Sequence, residues 1–266
     1  MIKNKCFSFL LLFGVLSAYS QDIERRTLTT DPFYGVQVYS RLDVKLIPAN
    51  VNKAVIYGDH KDDVVLSTKN KMIKIKLATN SVLNPGYTYI ELYHSEPLDR
   101  VVAHQGVKLT SETIKQTSLT IEAKTGAVIT LDANVDRLDA VTNTGGRIHL
   151  KGKATYFNLS LNTSGSCEAE EFITEQSQVK SIAGGYAYVN ATELLDARVL
   201  LGGVLRVYGK PKKHITKIFH VLTRKLNAIP RNTTNASSTR KRNFCQKMMK
   251  CMTKFMKDSY NFIKIE

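Results

Sequence analysis

Apolar and polar residues alternate with a period of two along most of this 266-residue chain, and helical periodicity is missing from residue 31 to residue 218. In PFYGVQVYSRLDVKLIPA, Val36, Val38, Leu42, Val44 and Leu46 take one side while Asp43 and Lys45 take the other. Ala54 to Asp59 predicts a second strand. Met72 to Leu77 predicts a third, with Lys74 and Lys76 on the solvent side, and YTYIELY from Tyr87 to Tyr93 a further one after the turn signal Asn84-Pro85-Gly86.

From Gly106 to Pro211 the alternation becomes periodic at a longer range. The segments TGAVITL, TGGRIHL, SGSCEA, GGYAYV and GGVLRV end their glycine runs at Gly126, Gly146, Gly165, Gly185 and Gly203, in steps of 20, 19, 20 and 18 residues. That spacing predicts a strand-rich solenoid, because one rung cannot bury its apolar face alone whereas stacked rungs can. Leu119, Leu138, Leu159, Val179 and Ala197 line up as one predicted column, and Val128, Ile148, Cys167, Ala187 and Leu205 as another. Leu150, Ala169, Val189 and Val207 make a third, in which Thr130 is the exception. Gly106 falls one residue out of phase, so regular rungs are expected only from about Leu119.

The predicted organisation is all-β. Residues 31–105 form an N-terminal β layer and residues 106–218 the β-helix-like rungs. Residues 1–20 have the make-up of a secretory signal: Lys3 and Lys5 precede the apolar run Phe7 to Leu16, and Ala18 and Ser20 are small residues before a cleavage point at Gln21. Residues 21–30 are polar and read as a loose leader. No cysteine follows the cleavage point to carry a lipid.

Charge redraws the C-terminus. The net charge is +15, and residues 219–266 hold eleven Lys and Arg against Asp258 and Glu266, so +9 belongs to this tail. Within 241–257, Phe244, Met248, Cys251, Met252 and Phe255 share one helical face, with Lys247, Lys250, Lys254 and Lys257 mostly off it, which predicts a basic amphipathic helix. Three readings stay open: a cap on the end of the stack, a segment lying on anionic membrane, or the product of a reading-frame shift near codon 219.

Side-chain chemistry adds little that converges. Asp132, Asp136 and Asp139, beside Arg137, would need to meet on one face to act as paired carboxylates. Glu168, Glu170 and Glu171 read as a solvated acidic patch, and the histidines show no metal-ligand spacing and read as surface residues. No nucleophile elbow is present. No cofactor is expected. Cys167 sits at an inward rung position and reads as a small buried hydrophobe. Tyr186 and Tyr188 follow one glycine corner and point the same way, which makes them the candidate ligand contacts.

The order FYGVQV, DVKLIPA, TYIELYHSEPLDRVVAHQGVKL, LTIEAKTGAV, TGGRIHLKGKA and VLRVYGKPKK resembles the putative auto-transporter adhesin, head GIN domain family over about residues 31 to 218. The resemblance implies a mainly β, right-handed β-helix-like fold. It also implies an exported protein in the periplasm or at the cell surface of a Gram-negative-type bacterium. The basic tail is foreign to the family. The expected function is a non-catalytic binding or adhesion module for glycan or envelope-protein surfaces, and the alternative is a carbohydrate-active β-helix enzyme. Nucleic acid is excluded by export, and a stack with exposed edges is open to homo-oligomerisation.

Overall fold

A computed structural model describes residues 24–78, 86–218 and 263–265. The predicted signal, the tail helix at 241–257 and most of the Asn84-Pro85-Gly86 turn lie outside the described residues. The described residues form a β-solenoid. Among the described residues, the single helical element is a 3-10 turn at Lys61–Asp63.

The regular part is built from four long strands, β11 (Val128–Asn143), β12 (Arg147–Leu161), β13 (Ser166–Ala183) and β14 (Tyr186–Leu201), if the chain-order count starts at Arg25. Consecutive strands pair in parallel, which is why like residues stack on like. β10 (Ile114–Lys124) lies beneath β11, while β15 (Val204–Tyr208) and β16 (Lys213–Ile218) lie on different parts of β14. β17 (Ile263–Ile265) pairs with β15.

The columns differ in detail from those drawn on the sequence. Leu119 and Leu138 stack as expected, but the next residue in their column is Phe157. Leu159, Val179 and Ala197 belong to the neighbouring column, which runs through Ile121 and Ala140. After the corner, the inward residues are Ile129 and Leu131, while Val128 and Thr130 face out.

The doubled glycine of TGGRIHL causes the slip after the corner. The corner is a pair of left-handed residues, Thr125-Gly126 in one turn and Thr144-Gly145 in the next, with φ of 53° and 73° and then 49° and 73°. Backbone bonds repeat with it: Gly126 N–H donates to Thr144 O and Gly145 N–H to Thr163 O. Gly126 therefore corresponds to Gly145 rather than Gly146.

The same correspondence corrects the reading of Gly106. Gln105-Gly106 has φ of 54° and 73°, and Lys108 pairs with Val128, so this corner is in phase. An equivalent corner occurs without glycine at Ser40-Arg41.

Stacking accordingly continues into the N-terminal part. β2 (Gly35–Val38) and β3 (Asp43–Pro48) form one turn, β6 (Met72–Leu77) and β7 (Thr88–His94) the turn on one side of it, and β8 (Arg100–Ala103) and β9 (Lys108–Ser111) the turn on the other. The boundary expected at 105/106 falls between two strands of one turn. The N-terminal β layer is present as antiparallel additions. β4 (Lys53–Gly58) pairs with β7, β1 (Arg25–Thr29) pairs with β4, and β5 (Val64–Lys69) pairs with β6. Residues 25–29, expected in a loose leader, are thus a strand, whose alternation RRTLT is too polar to stand out from the sequence.

Inside the stack the side chains form one continuous apolar column from Phe33 to Val207. Val36, Val38, Ile73, Ile75, Val101 and Ala103 are fully buried across three successive turns. Each such Val, Leu or Ile contributes roughly 1.5–3 kcal/mol by leaving water. Cys167 is buried in its column as expected, and burial pushes its thiol pKa up.

Candidate functional site

Because strands alternate, every turn that buries two side chains presents two outward. On β14, Ala187 and Val189 are buried, so Tyr186 and Tyr188 point out together, with ring centroids 5.9 Å apart. One step along the ladder, Tyr208 meets Tyr188 edge to face at 6.3 Å, and the Arg206 guanidinium lies 5.3 Å over the Tyr188 ring. Tyr188 is half-buried by these neighbours, whereas Tyr186 is 40% exposed.

A second tyrosine cluster lies at the other end of the stack and was missed by the sequence reading. Tyr87, Tyr89, Glu91 and Tyr93 alternate with the buried Thr88, Ile90 and Leu92, so all four share one outer face. Tyr57 of β4 joins them at 6.1 Å from Tyr89. The hydroxyls of Tyr57 and Tyr93 donate to Glu91 Oε2 at 3.3 and 3.0 Å, and that of Tyr87 donates to Asp43 Oδ2 at 2.8 Å. The bond to Glu91 and then burial raise the Tyr93 pKa, while burial foremost raises that of Tyr89. Lys53 sits 4.8 Å over the Tyr93 ring. Period-two tyrosines in YTYIELY were the available signal.

The suspected carboxylate group does not converge. Pairing along β11 is interrupted at Asp136, which separates Asp132 from Asp139. Asp132 accepts a bond from Thr113 at 2.9 Å. Asp139 is gripped by Arg137 at 2.9 and 3.1 Å and by Asn158 at 2.6 Å. Burial pushes the Asp139 pKa up, but these bonds outweigh it and hold the group below its ordinary value. In the acidic patch, the ladder from β12 meets an extra residue between Glu168 and Glu171. Glu168 pairs with His149 at 3.0 Å and Glu171 with Lys151 at 2.9 Å. No group of three or more His, Cys, Asp or Glu is placed to hold a metal ion among the described residues.

Two histidines are not the surface residues expected. His94 is 6% exposed; its Nδ1–H donates to the Glu96 carbonyl at 2.9 Å, which leaves Nε2 as a buried acceptor without a partner among the described residues. Burial lowers its pKa. His104 stacks on Tyr39 at 4.4 Å, and burial followed by Lys124 lowers its pKa too. His94 borders an open cleft of about 690 Å³ with Pro48, Glu96, Glu112 and Gln116. No helix among the described residues is long and apolar enough to cross a membrane.

Fold and surface together define a β-solenoid that presents flat, strand-built faces carrying tyrosines and paired charges. The chain belongs to the putative auto-transporter adhesin, head GIN domain family, whose model matches residues 32–211. Among curated proteins none matches. Solved structures share the fold. A putative adhesin from Bacteroides fragilis superposes with a TM-score of 0.66 at 17% identity, covering 74% of this chain and 93% of that one. Putative adhesins from Parabacteroides merdae and Parabacteroides distasonis give 0.60 and 0.59 at 16% identity, again covering 74% of this chain and 92% and 93% of theirs.

Proposed function

We propose that this protein is an exported, non-catalytic adhesion-type module that holds glycan by outward-facing aromatic rings. The observation that carries the reading is the cluster of Tyr186, Tyr188 and Tyr208 with Arg206 on a flat outer face. A tyrosine ring offers an apolar surface to the C–H face of a sugar while its hydroxyl serves the sugar's rim. A flat face of this kind suits many weak contacts to a surface-bound ligand more than enclosure of a small substrate. Family membership agrees with an adhesion role, and Lys3, Lys5 and the apolar run after them supply the export signal.

The test is a glycan array probed with the full chain and with the double variant Tyr186→Ala, Tyr188→Ala, alongside a depolymerisation assay on the same glycans. Binding by the native chain, at least tenfold weaker in the variant (about 1.4 kcal/mol), is the expected result. Release of reducing ends or unsaturated products would show an enzyme instead, and binding unchanged in the variant would move the site elsewhere.

A further inference from the structure

The two tyrosine clusters lie on the same face: Tyr89 stands in the column of Tyr186, Glu91 in that of Tyr188, and Tyr87 and Tyr93 flank them along β7. Tyr89 pairs with Asp43, Asp43 with Lys108, Lys108 with Val128, Val128 with Arg147, Arg147 with Ser166, and Ser166 with Tyr186. The adjacent outward column runs in register from Glu91 through Lys45, Thr110, Thr130 and His149 to Glu168 and Tyr188. Six ladder steps separate the clusters. At about 4.8 Å per step they are about 29 Å apart along the stack axis.

The ground between them is polar and electrically balanced. From Glu91 to Glu168 the two columns carry Asp43, Glu91 and Glu168 against Lys45, Lys108 and Arg147. Most of these charges already have a local partner: Lys45 with Glu112 at 3.0 Å, Lys108 with Asp43 at 3.9 Å, and His149 with Glu168 at 3.0 Å. A polyanion would need a surplus of free cations on this face, and a polycation the reverse. The exposed Thr110 and Thr130 add hydroxyls that both donate and accept. Both ends offer exposed rings, Tyr87 being 58% exposed and Tyr186 40%.

We propose that this face is one extended site for a neutral polysaccharide chain lying along the solenoid axis, with the Tyr87/Tyr89/Tyr93 and Tyr186/Tyr188 clusters as stacking platforms at its two ends. The proposal rests on the glycan reading above and adds ligand class, direction and length. A chain that reaches both platforms gains from effective concentration, since its second contact is intramolecular. A fragment that reaches only one platform does not.

Native gels cast with dextran, mannan, xylan or laminarin, with dextran sulfate as the charged comparison, and titrations with size-fractionated fragments of any neutral polymer that retards the full chain, test this directly. Fragments long enough to reach from Tyr89 to Tyr186 are expected to bind about 100-fold tighter than fragments half that length. Tyr87→Ala, the mildest change because that side chain is mostly exposed, and separately Tyr186→Ala with Tyr188→Ala, should each bring the long fragments down toward the short-fragment affinity. Thermal melts verify that each variant is folded. Equal affinity for long and short fragments, or indifference to Tyr87→Ala and to Tyr89→Ala, overturns the two-platform site while leaving a local glycan site at Tyr186 and Tyr188. Retardation by dextran sulfate alone overturns the neutral-chain assignment. Retardation by none of these polymers overturns both this proposal and the glycan reading.

Discussion

The rings of Phe157 and Phe172 meet edge to face inside the stack, with centroids 5.4 Å apart and planes at 74°. They are among the largest fully buried side chains, and Phe157 stands in the column of Leu119 and Leu138. Truncating either removes a ring that the surrounding strands cannot collapse to replace. Phe157→Ala is expected to lower stability by about 3–5 kcal/mol, read as a shifted midpoint in urea titration. A loss below about 1 kcal/mol would mean that the turns relax around the gap.

Two glycines of the corners should respond differently to substitution. Gly185 has φ of +96°, and a Cβ there would stand 2.1 Å from the Gly165 carbonyl oxygen of the turn beneath. Gly145 has φ of +73° with open space around it. Gly145→Asn should therefore be nearly neutral, since Asn tolerates the left-handed region. Gly185→Asn should force two turns apart and cost more than the roughly 1–2 kcal/mol of left-handed strain alone. Equal melting temperatures for the two variants would refute the distinction.

Buried His94 sets a pH dependence. Its folded pKa is lowered by burial, so the unfolded chain takes up a proton first as pH falls through about 6.5. The unfolded state then binds more protons than the folded one, and stability declines with falling pH until the folded pKa is reached. His104 contributes with the same sign. Between pH 7 and pH 5 the native chain should lose stability in chemical denaturation, and His94→Gln should flatten that slope in proportion to its share. Asp139, whose folded pKa is lowered, acts only in a more acidic window, where its stabilisation is lost as pH falls below about 3.8. An unchanged slope in His94→Gln would remove His94 from the account.

Cys167 should be chemically silent. It is fully buried, and burial pushes its thiol pKa up, so thiolate is scarce and reagent cannot reach it. In a chain with Cys6, Cys245 and Cys251 replaced by serine, labelling by a thiol reagent should proceed only at the rate of unfolding. Labelling at the rate of a free thiol would place Cys167 at the surface.

Period-two alternation and the glycine spacing were enough to read an all-β solenoid. Phase was harder. In TGGRIHL and GGYAYV two glycines compete for one corner; the left-handed φ of Gly145 picks it out in the first, and the bond from Gly184 N–H to Leu201 O in the second. Ser40-Arg41 makes the same turn with no glycine, so the earliest full turn left no mark of that kind. Tyr186 and Tyr188 were visible because they flank one buried alanine. The same alternation in YTYIELY marks Tyr87, Tyr89 and Tyr93; only Tyr57 is hidden, because joining it to Tyr89 and Glu91 requires the antiparallel β4–β7 pairing, a contact between strands about 30 residues apart in the chain that alternation within one strand cannot reveal.

The turn made by β2 and β3 is flanked on both sides by strands that come later in the chain, β6 and β7 on one side and β8 and β9 on the other. Spatial order is therefore not the order of synthesis. Val36, Val38, Val44 and Leu46 gain one neighbouring turn once residues 72–94 have followed them, and the other only once residues up to Ser111 have. The stack cannot then assemble turn by turn from its first strand, as a simple repeat array does. The third turn to emerge, β8 and β9, must dock on the side of β2 and β3 that β6 and β7 leave open.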